Sequence, residues 1–257
     1  MPQYAKNFIT QVILRADFVP GTVPLVQPGE RVLAAVDGFT VRNSANRSKS
    51  EVRVQKTPQG PIKDTRTTNF IEHNFWTEDK LRRVAVCSEY VFYETRVYEG
   101  FDTARDAFLD VLDAVYEQCP GMKIRRLGMR YINEIKLPEA DAGPGLGADF
   151  WERYINPSLL GGLRFAANDG ALARHMCTTE LNYGTDRATL KYGIFNSDYP
   201  KPNRKREFIL DVDTYCMTEL AEDAVAMKLE DYHNAAISVF ETAVTDALRS
   251  RMGRRGL

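Results

Sequence analysis

The sequence predicts an α+β fold, with antiparallel sheet covered on one face by amphipathic helices. Three observations support it. Runs rich in β-branched and aromatic residues follow one another without the strand–helix–strand alternation of a parallel sheet. In each half of the chain antiparallel strands are followed by an amphipathic helical stretch. The two halves also share a pattern: "YVFYETRVYEGFDTARDAFLDVLDAV" is echoed by "EFILDVDTYC" followed by "LEDYHNAAISVFETAVTDAL". That echo leaves two arrangements open, a pair of ferredoxin-like halves or one continuous sheet.

The elements follow in order. "FITQVILRADF" (8–18) is strand-like and ends at Pro20-Gly21, and 20–31 reads as a loop. "DGFTV" and "SEVRVQK" read as short strands on either side of a polar loop, "RNSANRSKS", and "TTNFIEHNFW" as another strand. "RRVAVC" and "YVFYETRVY" flank Ser88-Glu89 as a hairpin. A helix then starts at an Asp102 N-cap, with Ala104, Phe108, Val111, Leu112, Val115 and Cys119 at helical spacing, and stops at Pro120-Gly121. The strand "RRLGMRYINEIKLP" (125–138) follows. The Gly/Pro/Ala-rich 139–147 marks the boundary between halves 1–138 and 148–257. "DFWERYI" reads as a short helix ended by Asn156-Pro157. "ARHMCTTELNY", "ATLKYGIF" and "EFILDVDTYC" read as strands. The final helix carries a stripe of Tyr232, Ala235, Ala236, Val239, Phe240, Ala243, Val244, Ala247 and Leu248, closed by Gly253.

With 257 residues, 44% hydrophobic and 27% charged, the chain can bury a substantial core. A net charge of −1 argues against chain-wide attraction to nucleic acid or membrane. No apolar run approaches the roughly 20 residues needed to span a bilayer, and the N-terminus lacks a signal-peptide pattern. Cys87, Cys119, Cys177 and Cys216 form no C-x-x-C pair, so they read as reduced thiols of a cytoplasmic protein. No cofactor motif is present.

Candidate chemistry is sparse. His73, His175 and His233 match no metal-ligand motif, and His233 reads as a surface or first-turn residue. No nucleophile motif is evident, neither G-x-S-x-G nor S-x-x-K nor a Cys with a neighbouring His. The glycine-rich "GPGLG" (143–147) lacks the Lys-Ser/Thr of a phosphate loop. Asp211 and Asp213 share one face of their strand and are weak metal or acid/base candidates; opposite them, Phe208, Leu210 and Val212 point to a core and make the Asp face an ordinary wet one.

In "RRLGMRYINEIKLP", Leu127, Met129, Tyr131, Asn133, Ile135 and Leu137 form the core-facing set, while Arg126, Gly128, Arg130, Ile132, Glu134 and Lys136 form the open one. Gly128 leaves a notch between the Arg126 and Arg130 guanidiniums. That notch suits a carboxylate, a phosphate or a crossing acidic loop; the alternative is a cross-strand pair from Arg130 to an acid such as Glu94 or Asp211. Asn133, alone among apolar neighbours, predicts a hydrogen bond to the backbone of a neighbouring loop. Three basic segments are candidate binding surfaces: Lys201, Arg204, Lys205 and Arg206 of "KPNRKR"; Arg42, Arg47, Lys49 and Arg53; and Arg249, Arg251, Arg254 and Arg255. They equally suit solvated loops and tails.

"RLGMRYINEIKLP", "YINPSLL" and the terminal "VFETAVTDALRSRMG" resemble a sporadically distributed bacterial family of unknown function, often found in mobile or defence loci. The likeness spans roughly residues 70–257. It implies a cytoplasmic bacterial protein and carries over no catalytic residue. Together these readings predict a non-enzymatic binding or regulatory protein, one that engages a protein partner from a neighbouring gene of a mobile-element, toxin–antitoxin or anti-phage locus. An RNA- or nucleotide-binding protein built of paired ferredoxin-like units, with nuclease activity as an extension, is the alternative. A metal-assisted phosphohydrolase using Asp211 and Asp213 is a third.

Overall fold

A computed structural model describes residues 3–23, 32, 38–57, 60–138, 146–165 and 171–255. Most of the 20–31 loop, all but the end of the 139–147 connector and Gly143 to Gly145 lie outside them. The strands are β1 (Gln3–Tyr4), β2 (Ile9–Phe18), β3 (Phe39–Thr57), β4 (Gly60–Thr77), β5 (Arg82–Val86) and β6 (Tyr90–Thr95). Helix α1 (Phe101–Gln118) leads into β7 (Ile124–Lys136), α2 (Ala148–Trp151) and α3 (Gly161–Phe165). Strands β8 (His175–Tyr183), β9 (Asp186–Ile194) and β10 (Glu207–Cys216) precede α4 (Val225–Ala243), α5 (Asp246–Arg251) and β11 (Arg254–Arg255).

Nine strands form one antiparallel sheet in the order β3-β4-β5-β6-β2-β7-β10-β9-β8, and β1 pairs separately with β11. β7 hydrogen-bonds along its length with β10, from Glu207↔Lys136 to Cys216↔Leu127. Of the two arrangements the sequence leaves open, the strands take the continuous sheet. Among the described residues, no helix is long and apolar enough to cross a membrane.

Period-2 patterning sets the layers. On β7, Leu127, Met129, Tyr131, Asn133 and Ile135 are buried toward the helices, where α1 and α4 lay their apolar faces. Phe108, Val111 and Leu112 of α1, and Leu229, Tyr232 and Ala236 of α4, join the same core.

Three elements depart from the sequence reading. The polar "RNSANRSKS" is strand: β3 runs unbroken for 19 residues and pairs with β4 from Phe39↔Thr77 to Thr57↔Gly60. A ladder satisfies backbone N–H and C=O groups whatever the side chains, so a ribbon wet on both faces needs no apolar alternation. Helix α1 begins at Phe101, with Gly100 rather than Asp102 as N-cap. Gly100 takes φ 133, open to glycine alone, and this lets the helix begin early enough for the Phe101 ring to enter the core. Asp102 falls in the first turn and pairs with Arg105 at 3.0 Å. The last helix is broken at the β-branched pair Val244-Thr245. Val244 is extended and bridges to Ile155, and the Thr245 N–H donates to the Tyr154 carbonyl, so the post-α2 segment captures the backbone there.

Candidate functional site

The face of the sheet away from the helices is a lattice of ion pairs. Arg130 donates Nε and Nη2 to the two oxygens of Asp211 at 2.7 and 2.6 Å, a bidentate cross-strand pair. Arg126 reaches Asp17 at 3.5 Å and Asp213 at 3.4 Å. Its guanidinium lies over Gly128: a Cβ there would come within 3.0 Å of Arg126 Nη1. The notch is therefore filled by Arg126 itself, which also rests 4.8 Å from the Tyr215 ring centroid. Burial pushes the Asp213 carboxyl up, against the pull of Arg126 and Arg130. Asp211 and Asp213 each face a guanidinium, and among the described residues no group of three or more His, Cys, Asp and Glu is placed to hold a metal ion.

The basic segments do not converge. Lys201–Arg206 lies between β9 and β10, toward one end of the sheet, whereas Arg42, Arg47 and Lys49 belong to β3 at the other. Lys201, Arg204 and Lys205 are exposed. Lys205 Nζ is 3.0 Å from Asp198, and the Arg206 guanidinium sits 4.5 Å from the Phe150 ring centroid. Arg47 pairs with Glu72 at 2.8 Å, Lys49 with Glu89 at 3.0 Å and Arg249 with Glu241 at 2.8 Å.

The arm formed by β3 and β4 is the most prominent surface feature. β5 pairs with β4 only from His73 to Trp76, so among the described residues the ladder from Ala45↔Glu72 to Thr57↔Gly60 has no third strand. At ~3.4 Å per residue it reaches about 40 Å beyond β5. Register sorts its faces. Asn46, Ser48, Ser50 and Val52 stand opposite Ile71, Asn69, Thr67 and Thr65, an uncharged set that continues the helix-side face marked by Phe75. Val52, Val54 and Ile71 on that face are 57%, 55% and 50% exposed. Arg47, Lys49, Asp64 and Arg66 take the other face. At its base, Glu72 is buried and receives Arg47 (2.8 Å), Asn74 (3.0 Å), Arg83 (3.3 Å) and the Tyr90 hydroxyl, which ties the arm to β5 and β6.

On the helix side, a cavity of about 630 Å³ opens between β7, α4 and the segment entering α1. Tyr131, Asn133 and Val212 form its floor; Tyr98 to Asp102 and the α4 residues Glu230, His233, Ile237 and Phe240 form its walls. His233 is a correction: it is 8% exposed, not a surface or first-turn residue. α4 begins at Val225, which puts His233 in mid-helix, one turn past Leu229 and on the face toward the sheet. Its Nδ1 is 2.8 Å from the Tyr131 hydroxyl, and its ring stacks on Phe101 with centroids 4.1 Å apart and planes 3° from parallel. Among the described residues, no donor or acceptor reaches its Nε2. Burial holds the imidazole below its ordinary 6.5, outweighing the upward pull of Glu230 and Asp102. Burial likewise raises the Tyr131 and Tyr98 hydroxyls. Asn133 Nδ2 donates 3.2 Å to the Leu210 carbonyl, on the neighbouring strand rather than a loop.

A second pair escaped sequence reading. His175 Nε2 and Cys177 Sγ lie 3.2 Å apart on β8, contrary to the expectation that no Cys has a neighbouring His. The "HMC" triplet held the signal, because residues two apart share a strand face. No family model matches the chain, and no curated protein is similar to it.

Proposed function

We propose that this chain is a non-enzymatic binding protein that engages a partner protein through the Ser/Thr/Asn-rich face of the β3–β4 arm. The arm carries this reading. A two-stranded ribbon is marginal in water unless a third layer covers it, and this one runs far past its last neighbouring strand. Ser, Thr and Asn rows punctuated by exposed Val52, Val54 and Ile71 suit packing against another polypeptide. A phosphate backbone would call for a row of cations on that face; Lys63 lies there opposite Val54, but Arg47 and Lys49 sit on the opposite face and are already paired with Glu72 and Glu89. The resemblance of the "RYIN" strand to a family of mobile and defence loci suggests where to seek the partner, among the products of adjacent genes.

Coexpression with those products, with and without Val52→Asp and Val54→Asp together, tests the reading. A stoichiometric complex that forms with the parent chain and fails with the double variant supports it. A complex indifferent to the substitutions, or salt-sensitive binding of duplex or single-stranded nucleic acid with no protein complex, overturns it.

A further inference from the structure

We propose that the helix-side cavity binds a small organic cation: an amine or quaternary ammonium carried on an apolar or aromatic body. This site is separate from the arm and does not depend on it. At about 630 Å³ the cavity is the size of a small-molecule site. Aromatic rings of Tyr98, Tyr131 and Phe240 line it, surfaces that stack on flat apolar groups and attract cations through their faces, while Phe101 at its wall already stacks on His233 and carries Arg105 5.2 Å from its centroid.

The charge of the lining selects the sign of the ligand. Glu99, Asp102, Glu230 and Glu241 line the cavity, with no Lys or Arg among the described residues that line it. Their arginine partners approach from outside it. Arg82 holds Glu99 at 2.7 Å, and Arg249 holds Glu241 at 2.8 Å. Arg105 is shared: it pairs with Asp102, Asp106 and Glu230, so three carboxylates meet one guanidinium beside the cavity. The net negative charge there would repel an anion, and Asp102 in the first turn offsets the pull that the α1 N-terminus would exert on one.

A second observation is independent of the acidic residues. His233 is more than nine-tenths buried, lines the cavity and has one ring nitrogen occupied by Tyr131. Its Nε2 is left for a ligand. In the tautomer whose Nδ1–H donates to the Tyr131 oxygen, Nε2 presents a lone pair and accepts an N–H from a protonated amine; a quaternary ammonium has no N–H and rests on the rings and carboxylates alone.

Calorimetry on the full chain with three size-matched probes tests the assignment: phenethylamine, 3-phenylpropionate and 2-phenylethanol, with tryptamine and choline extending the cation set. The cations should bind, the carboxylate should not, and the alcohol should bind more weakly than the amine. Glu230→Gln, at a partly exposed position, should weaken phenethylamine by about tenfold, the loss of one charge-assisted contact. Ile237→Trp, which fills the cavity, should abolish binding. Binding of 3-phenylpropionate as tight as phenethylamine overturns the proposal. So does the absence of binding by every cation at millimolar concentration, or affinity unchanged by both substitutions.

Discussion

At the residue scale, the buried Glu72 and His233 make stability depend on pH. Burial works to raise the Glu72 carboxyl, but hydrogen bonds from Tyr90, Arg47 and Asn74 outweigh it and hold the group below its usual 4.5. A depressed carboxyl contributes stability that is present above the unfolded value and lost as pH falls through the folded one. Acid unfolding below about pH 4.5 should therefore be shallower in Glu72→Gln than in the parent. Glu72→Ala leaves the Tyr90 hydroxyl and the mostly buried Arg83 without their shared acid and should lower the midpoint of chemical denaturation. His233 acts at higher pH. Held below 6.5 by burial, it stays neutral in the fold while the unfolded chain takes up a proton, so stability is full above 6.5 and declines as pH falls from there. His175, also lowered by burial, adds to the same slope, so His233→Gln should flatten the decline in melting temperature between pH 7 and 5 without removing it. Thiol labelling makes a third check. Burial pushes the Cys87 thiol up to about 11, and Cys119 and Cys216 are buried, whereas Cys177 is partly exposed beside His175. Iodoacetamide at pH 8 should label Cys177 first in the native protein; labelling of Cys87 at a comparable rate would contradict the described packing.

At the element scale, legibility followed periodicity. β7 was readable because apolar residues recur at every second position from Leu127 to Ile135 except Asn133, and the Arg130–Asp211 pair was among the partners that cross-strand spacing allowed. β3 was not, because a ribbon wet on both faces carries no alternation to detect. Gly253 marked the end of α5, but the break before α5 depends on Ile155 and Tyr154, far away in sequence. His233 was misplaced for a related reason. The start of α4 lies in "VAMKLE", outside the stripe that begins at Tyr232, so its face toward Tyr131 and Phe101 emerges only in three dimensions. The arm should be structurally detachable from the core. Val52→Asp with Val54→Asp, both exposed, should leave the melting temperature within about 4 °C, since each surface substitution typically changes stability by no more than ±0.5 kcal/mol. A drop of many degrees would mean that this face already packs within the chain.

At the scale of the whole molecule, one sheet links two unlike surfaces. The ion-pair lattice closes the open face, and Arg126 fills the space over Gly128, so the charged strand is saturated by its own neighbours. The arm leaves the sheet at one end, while the cavity lies under α4. Hydrogen exchange of the arm amides tests the central claim most directly. In the isolated protein, residues 45–54 should exchange far faster than β7, because only one ladder protects them. Adding the cognate partner should slow exchange across 45–54 and 63–72 in the parent chain, but not in the Val52→Asp/Val54→Asp variant. Slow exchange in the isolated arm, or a partner complex that leaves arm exchange unchanged, would contradict an arm built to be covered by a partner.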